Sequence, residues 1–263
     1  MRIYNASVFD FQITLPPLPI SSCLREGQKG GEVKGEKMAI YRHFDQDLDL
    51  LKQKLVFMAS LAESMIFKAI KSLIERQDSL IQEVSKDEEK VNLLQIEIDE
   101  LCLKLLALKQ PMASDLRFIT SAIKINSELE RIGDMAVNIT QRSSVLIKQP
   151  QLKPYIDIPR MADLAQKMVK DSLDSFIKQD VELARSILKR DDEIDVLKDQ
   201  IFRELLTFMI SDASSIPRAL ELILVSRHLE RIGDHATNIA EDVIYMVQGK
   251  DIRHRIEDRG KPT

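Results

Sequence analysis

Two pairs of carboxylates, each four residues apart, are the side chains in this chain best suited to chemistry. Glu130 and Asp134 form the first pair, and Glu230 and Asp234 form the second, 100 residues further on. Side chains at this spacing share one face of an α-helix, where like charges repel by about 0.2–0.5 kcal/mol. A repulsion that occurs twice invites an explanation, and one is a bound cation, since hard oxygen ligands suit Mg²⁺, Ca²⁺, Mn²⁺ or ferric iron.

A second predicted helix in each half offers companions for these pairs. Asp191 and Asp195 are four apart, and Glu88 and Asn92 occupy the equivalent places in the first half. If neighbouring helices face each other there, each half presents a cluster of oxygen ligands. The predicted metal ligands are Glu88, Asn92, Glu130, Asp134, Asp191, Asp195, Glu230 and Asp234.

An alternative interpretation needs no metal. Arg131 stands three residues before Asp134, so an ion pair within the helix could satisfy that carboxylate on a solvated face. Arginines could also orient the carboxylates or bind an oxyanion, although ion pairs within the bundle are the simpler interpretation. These supporting arginines are Arg117, Arg131, Arg218 and Arg231. His228 and His235 have no histidine counterparts in the first half, so we interpret them as surface or hydrogen-bonded side chains.

The elements that position these residues are predicted to be helices. Apolar residues make up 44% of the chain and charged residues 30%, with little glycine or proline and no tryptophan, a composition typical of packed helices. From Phe44 onward, apolar side chains recur every three or four residues, which indicates amphipathic helices. Breaks are predicted at Gln77-Asp78, Pro111, residues 150–159, Gln179-Asp180 and residues 211–215.

The helical region is an internal repeat. The sequence Leu-Glu-Arg-Ile-Gly-Asp at residues 129–134 recurs at 229–234, and Val91-Asn92 matches Ile194-Asp195. Short connections between long helices indicate antiparallel neighbours. We therefore predict an all-α fold of two tandem pseudo-symmetric three-helix bundles, with six long antiparallel helices. The predicted segments are 38–149 for the first bundle, 150–159 for a linker, 160–249 for the second bundle and 250–263 for a flexible tail.

Residues 1–37 lack the helical period. One interpretation is that the start codon is mispredicted and translation begins at Met38. Another is that these residues form a disordered tail. They could also be a lipoprotein signal ending at Cys23, but Asp10 and Gln12 interrupt its apolar part. Cys23 and Cys102 are too isolated for a disulfide framework, which favours a reducing compartment.

Several functional classes are disfavoured by the composition. The formal net charge is −4, and no basic, aromatic-rich patch for nucleic acid is evident. A glycine-rich phosphate loop is absent. No apolar run approaches the ~20 residues that span a bilayer. We expect a cytoplasmic protein that could lie at the inner membrane only through another protein.

The motifs together resemble the PhoU family. The resemblance is carried by Gln-Pro-Met-Ala-Ser-Asp-Leu-Arg at residues 110–117, the repeated Leu-Glu-Arg-Ile-Gly-Asp, and the opening at 41–45, and it favours Met38 as the initiator. It implies two three-helix bundles, often dimeric, that negatively regulate the phosphate-starvation response and phosphate uptake. The implied partners are a phosphate ABC transporter, through its ATPase subunit, and a sensor histidine kinase.

The resemblance also implies multinuclear metal sites at the Glu/Asp-x-x-x-Asp motifs, with divalent or ferric ions such as Mg, Mn or Fe. Glu130, Asp134, Glu230 and Asp234 match that pattern, as do the companion carboxylates of the second half and Glu88 of the first. Asn92 departs from it, because an amide is a neutral ligand. Metal binding is therefore expected to be strongest in the second half.

Three functional classes follow from these features. The first is a signalling adaptor that is not an enzyme. The second is a di-iron carboxylate enzyme, but such sites usually carry Glu-x-x-His, and none of the four histidines has a glutamate three residues before it. The third is a metal-binding or purely structural helical scaffold without a phosphate role.

Overall fold

The computed structural model describes residues 34–109 and 111–252. Within these ranges the chain forms α-helices, one 3₁₀ turn at Ala213–Ser215, and no β-strand. The all-α prediction is therefore confirmed. The helices are α1 Lys34–Glu75, α2 Asp78–Lys109, α3 Ala113–Ile147, α4 Asp157–Lys178, α5 Val181–Ser211 and α6 Ile216–Gln248.

Helix α1 begins at Lys34, before Met38. The lipoprotein-like segment at Cys23 and most of the predicted tail lie outside the described residues. The chain divides into Met1–Ala39, of which only the start of α1 is described, and Ile40–Thr263.

Equivalent residues end the first helix of each half. Arg76 has φ 57° and Gln179 has φ 55°, so both adopt the left-handed conformation that commonly closes a helix. Each is followed within two residues by an aspartate at the start of the next helix. Asp180 accepts a hydrogen bond from the Leu183 N–H at 3.0 Å, which caps α5.

The two halves pack through α3 and α6, which run antiparallel. Lys124 near the start of α3 binds Asp242 near the end of α6 at 2.8 Å. Arg142 near the end of α3 binds Glu221 near the start of α6 at 3.3 Å. The third helices, which carry the carboxylate motifs, therefore form the contact between the two halves. Between them the apolar side chains of both halves form one continuous buried core.

No helix among the described residues is both long enough and apolar enough to cross a membrane. Cys102 is a free, buried thiol, and burial, with a smaller effect from Asp99, raises its pKa to about 12. A thiol in that state is a poor nucleophile and packs as an apolar side chain.

Candidate metal centre

In the first half, the structure brings together carboxylates from α2 and α3. Partial burial raises the pKa of Glu88, and the negative charge of Asp134 raises it further. Glu130 shows the same direction of pKa shift, from burial and then Asp134, with partial opposition from Arg131 and His235. These three side chains, which we call the first-half cluster together with Asn92, thus share one electrostatic environment. Asn92 is exposed on the same helix as Glu88.

In the second half, the four predicted ligands also lie close together. Burial raises the pKa of Asp191 to about 6, and the charges of Asp234, Asp195 and Glu230 contribute in the same direction. The pKa of Asp234 is raised as well, by burial first and then by Glu230. We call Asp191, Asp195, Glu230 and Asp234 the second-half cluster.

The motif glycines allow the helices to approach each other at the clusters. A Cβ at Gly233 would lie 2.8 Å from Ile194 Cδ1 and 3.5 Å from Asp191 Oδ1. A Cβ at Gly133 would find more room, with Met65 Cε at 3.5 Å and Val91 Cγ1 at 3.6 Å. Gly233 thus permits Ile194 on α5 to pack closely against the backbone of α6.

Lys198 is a member of the second-half site that the sequence analysis missed. Its Nζ donates to Asp195 Oδ1 at 2.8 Å and lies 3.3 Å from Glu230 Oε1. The hydrogen bond from Lys198 to Asp195 raises the pKa of this lysine, and Glu230 adds to the effect, although burial opposes both. The signal in the sequence was the spacing of three between Asp195 and Lys198, which favours an ion pair on one helix face.

The fit of these clusters to a metal ion is incomplete. Among the described residues, no three His, Cys, Asp or Glu side chains converge closely enough to hold a metal. The donor set is nevertheless one of hard oxygens, and burial, followed by mutual repulsion, raises the pKa values of Glu88 and Asp191. Metal binding therefore requires carboxylates to turn toward a shared point, and in the second-half cluster it also requires Lys198 to move.

The supporting arginines do not all lie where the sequence analysis expected. Arg131 forms an ion pair with Glu128, 3.7 Å away, and not with Asp134 as the interpretation without a metal considered. Arg231 is exposed, and its charge contributes to lowering the pKa of His228.

Arg117 and Arg218 bind backbone carbonyls at helix ends. Arg117 donates to the carbonyl of Met246 in the last turn of α6 at 3.1 Å. Arg218 donates to the carbonyl of Pro150, just beyond α3, at 3.2 Å. A guanidinium at a helix C-terminus satisfies free carbonyls and complements the helix dipole. These two arginines therefore join the halves at their ends.

The histidines are less exposed than the sequence suggested. His235 is buried, with Nδ1 2.7 Å from Glu128 Oε2, and Asn238 donates to the same oxygen at 3.1 Å. His228 is half-buried, and burial, followed by Arg231, Arg142 and Arg227, lowers its pKa to about 4. The interpretation of His235 as hydrogen-bonded is confirmed, whereas a surface position is wrong for it.

The fold and the clusters define a class of helical protein with two repeats, each carrying acidic residues on its second and third helices. The model of the family described as "PhoU domain" matches residues 55–143 and 158–243, one match in each half. The chain belongs to the PhoU family. The two separate matches agree with the internal repeat seen in the sequence.

Relatives resemble the chain over most of its length. A protein of Aquifex aeolicus named "Phosphate-specific transport system accessory protein PhoU homolog" is 41% identical over 217 residues, which cover 82% of this chain and 98% of that protein. The crystal structure of PhoU from Pseudomonas aeruginosa matches with a TM-score of 0.76 and 38% identity, covering 79% of this chain and all of that chain. The crystal structure of the phosphate transport system regulatory protein PhoU from Streptococcus pneumoniae matches with a TM-score of 0.72 and 28% identity. This match covers 79% of this chain and 98% of that chain.

Proposed function

We propose that this protein is a regulator associated with a phosphate-specific transport system. It acts as a negative regulator of the phosphate-starvation response and of phosphate uptake, by linking a phosphate ABC transporter to a sensor histidine kinase. The observation that carries this proposal is the match of both halves to the PhoU domain, combined with 41% identity to a phosphate-transport accessory protein over nearly its whole length.

Apolar side chains on the outer helices support a role in binding other proteins. Leu93 on α2 and Val196 on α5 occupy equivalent positions, and each is 62% exposed. Leu103 and Leu206 form a second exposed equivalent pair. Large apolar side chains left exposed at equivalent positions of both halves are candidates for protein contacts. We propose that these related surfaces bind the ATPase subunit of the transporter, the kinase or a second copy of this chain.

The acidic clusters support metal binding as part of this function. We propose Mg²⁺, Mn²⁺ or an iron ion as the occupant, because only oxygen donors are available in the predicted sets. Metal content of freshly purified protein tests this, with Glu130→Gln/Asp134→Asn and Glu230→Gln/Asp234→Asn as separate variants. Unchanged metal content in both variants would refute the metal sites.

The regulatory role is tested by alkaline phosphatase activity in a deletion strain grown with ample phosphate. We expect high activity in the mutant, and low activity after complementation with the full chain or with a copy starting at Met38. Leu93→Asp combined with Val196→Asp should fail to restore low activity if these surfaces bind the partners. Ile156→Asp, at an exposed apolar residue outside these surfaces, is the matched control and should restore it.

Activity in the deletion strain as low as in the parent would refute the phosphate role. A metal-binding or structural scaffold would then be the better description. Restoration by the full chain but not by the copy starting at Met38 would show instead that residues before Met38 are required.

A further inference from the structure

The two acidic clusters reach the same formal charge by different means. The match of Val91 to Ile194 makes Asn92 equivalent to Asp195 and Gln95 equivalent to Lys198. The first-half cluster with Gln95 holds three carboxylates and two amides, which gives a charge of −3. The second-half cluster with Lys198 holds four carboxylates and one ammonium, which also gives −3. The additional carboxylate of the second half is thus matched by an additional cation.

The position of Lys198 explains this compensation. Its ammonium bridges Asp195 on its own helix and Glu230 on α6, at 2.8 Å and 3.3 Å. The lysine charge also acts on Asp234, the other carboxylate of the α6 motif. A cation that joins carboxylates of two neighbouring helices does what a bound hard metal ion would do there.

We propose that Lys198 is a tethered cation that occupies the second-half cluster, so that a metal ion binds there more weakly than at the first-half cluster. This inference rests on the metal binding proposed above. It reverses the expectation from sequence, in which four carboxylates made the second half the stronger site. A metal entering there must displace the ammonium from two charge-assisted hydrogen bonds, whereas Gln95 presents no charge to displace in the first half.

Substituting each of the equivalent residues Gln95 and Lys198 by the other gives a direct test. The full, EDTA-treated protein is titrated with MnCl₂ in a calorimeter. Wild type should bind Mn²⁺ through the first-half cluster. In Lys198→Gln the second-half cluster should bind Mn²⁺ at least about tenfold more tightly than the same cluster does in wild type. Gln95→Lys should weaken the first-half site by a similar factor. Lys178→Gln removes an exposed lysine that pairs with Asp174 within α4, and this control should match wild type.

A readout without metal tests the same role independently. In EDTA at low ionic strength, Lys198→Gln should lower the thermal midpoint relative to Lys178→Gln, because four carboxylates lose their cation. Added Mn²⁺ should raise the midpoint of Lys198→Gln more than that of wild type. Equal midpoints for the two variants in EDTA, or no additional gain with Mn²⁺, would overturn the proposal.

The variants of the motif pairs locate the wild-type site. The proposal is overturned if Glu230→Gln/Asp234→Asn abolishes Mn²⁺ binding while Glu130→Gln/Asp134→Asn leaves it intact. If wild type binds no metal and Lys198→Gln gains a site, the first-half metal site is refuted but Lys198 is confirmed as the tethered cation. If neither binds metal, both metal proposals fail, and the alkaline phosphatase assay still decides the regulatory role.

Discussion

Arg190 on α5 binds Asp171 on α4 at 2.7 Å, and the equivalent positions of the first half carry the same ion pair with its charges exchanged. There Lys68 on α1 binds Asp87 on α2, also at 2.7 Å. Both pairs join the first helix of a half to its second helix, at a constant offset of 103 residues. The two halves therefore share the interaction but not the sign of the charge at each position.

The exchanged ion pair predicts that a substitution at Lys68 and one at Asp87 compensate for each other in their effect on stability. Asp87 is only 5% exposed and accepts from both Lys68 and Lys90. Asp87→Asn should lower the free energy of unfolding by about 1–3 kcal/mol, because the lysines lose a largely buried charged acceptor. The double variant Lys68→Asp/Asp87→Arg reproduces the second-half pair and should lose less stability than the sum of the losses of Lys68→Asp and Asp87→Arg. Urea unfolding of these two single variants and the double variant measures the coupling; strictly additive losses would contradict it.

Glu63 on α1 predicts a pH dependence of stability. Burial raises its pKa from 4.5 to about 7, with Lys170 opposing and Asp174 and Asp171 adding to the shift. A carboxyl whose pKa is raised in the folded state does not lower the free energy of unfolding below pH 4.5. Above that pH it lowers this free energy progressively, until the pH passes about 7. Glu63→Gln should therefore stabilise the protein above pH 7 by about 1–2 kcal/mol, after allowance for solvent screening.

Thermal unfolding across this pH range checks the Glu63 prediction. The thermal midpoint of wild type should fall as the pH rises from 4.5 to about 7, and this fall should be smaller in Glu63→Gln. Asp163→Asn, at an exposed position on α4, serves as a control and should retain that decline. A Glu63→Gln curve parallel to that of wild type would show that this carboxyl does not titrate there.

The two motif glycines should respond differently to alanine. At Gly233 the new Cβ meets Ile194 Cδ1 at 2.8 Å, so the buried isoleucine must shift. At Gly133 the nearest atom is 3.5 Å away, and alanine adds helix propensity of about 1 kcal/mol. Gly233→Ala should be less stable than Gly133→Ala by about 1–2 kcal/mol in urea unfolding. Equal stability of the two variants would show that Ile194 moves without cost.

The contact between Glu128 and His235 predicts a contribution to the packing of α3 on α6. Glu128→Gln weakens the acceptor for both His235 and Asn238 and should cost about 1–2 kcal/mol of unfolding free energy. Arg131→Gln removes an exposed guanidinium 3.7 Å from the same carboxylate and should cost less than about 0.5 kcal/mol. A larger loss for Arg131→Gln would place the important partner of Glu128 on the surface.

The sequence predicted what local periodicity and the repeat determine. The proline at residue 111 predicted the end of α2 at Lys109, and the polar pair Gln179-Asp180 predicted the end of α4 at Lys178. The motif carboxylates of the third helices act electrostatically on acidic residues of the second helices, as Asp134 does on Glu88 and Asp234 on Asp191, and their role as metal ligands stays a prediction. The reach of Lys198 to Glu230 was not predicted, because it depends on the register of α5 against α6. The pairing of His235 with Glu128, 107 residues away, likewise depends on how α3 crosses α6.

The most direct test of the regulatory role is alkaline phosphatase activity in phosphate-replete cells that lack this gene. We predict activity well above that of the parent strain, returned to the parental level by the intact chain. Deletion cells with parental activity under ample phosphate would contradict the assignment of this protein as a negative regulator of the phosphate-starvation response.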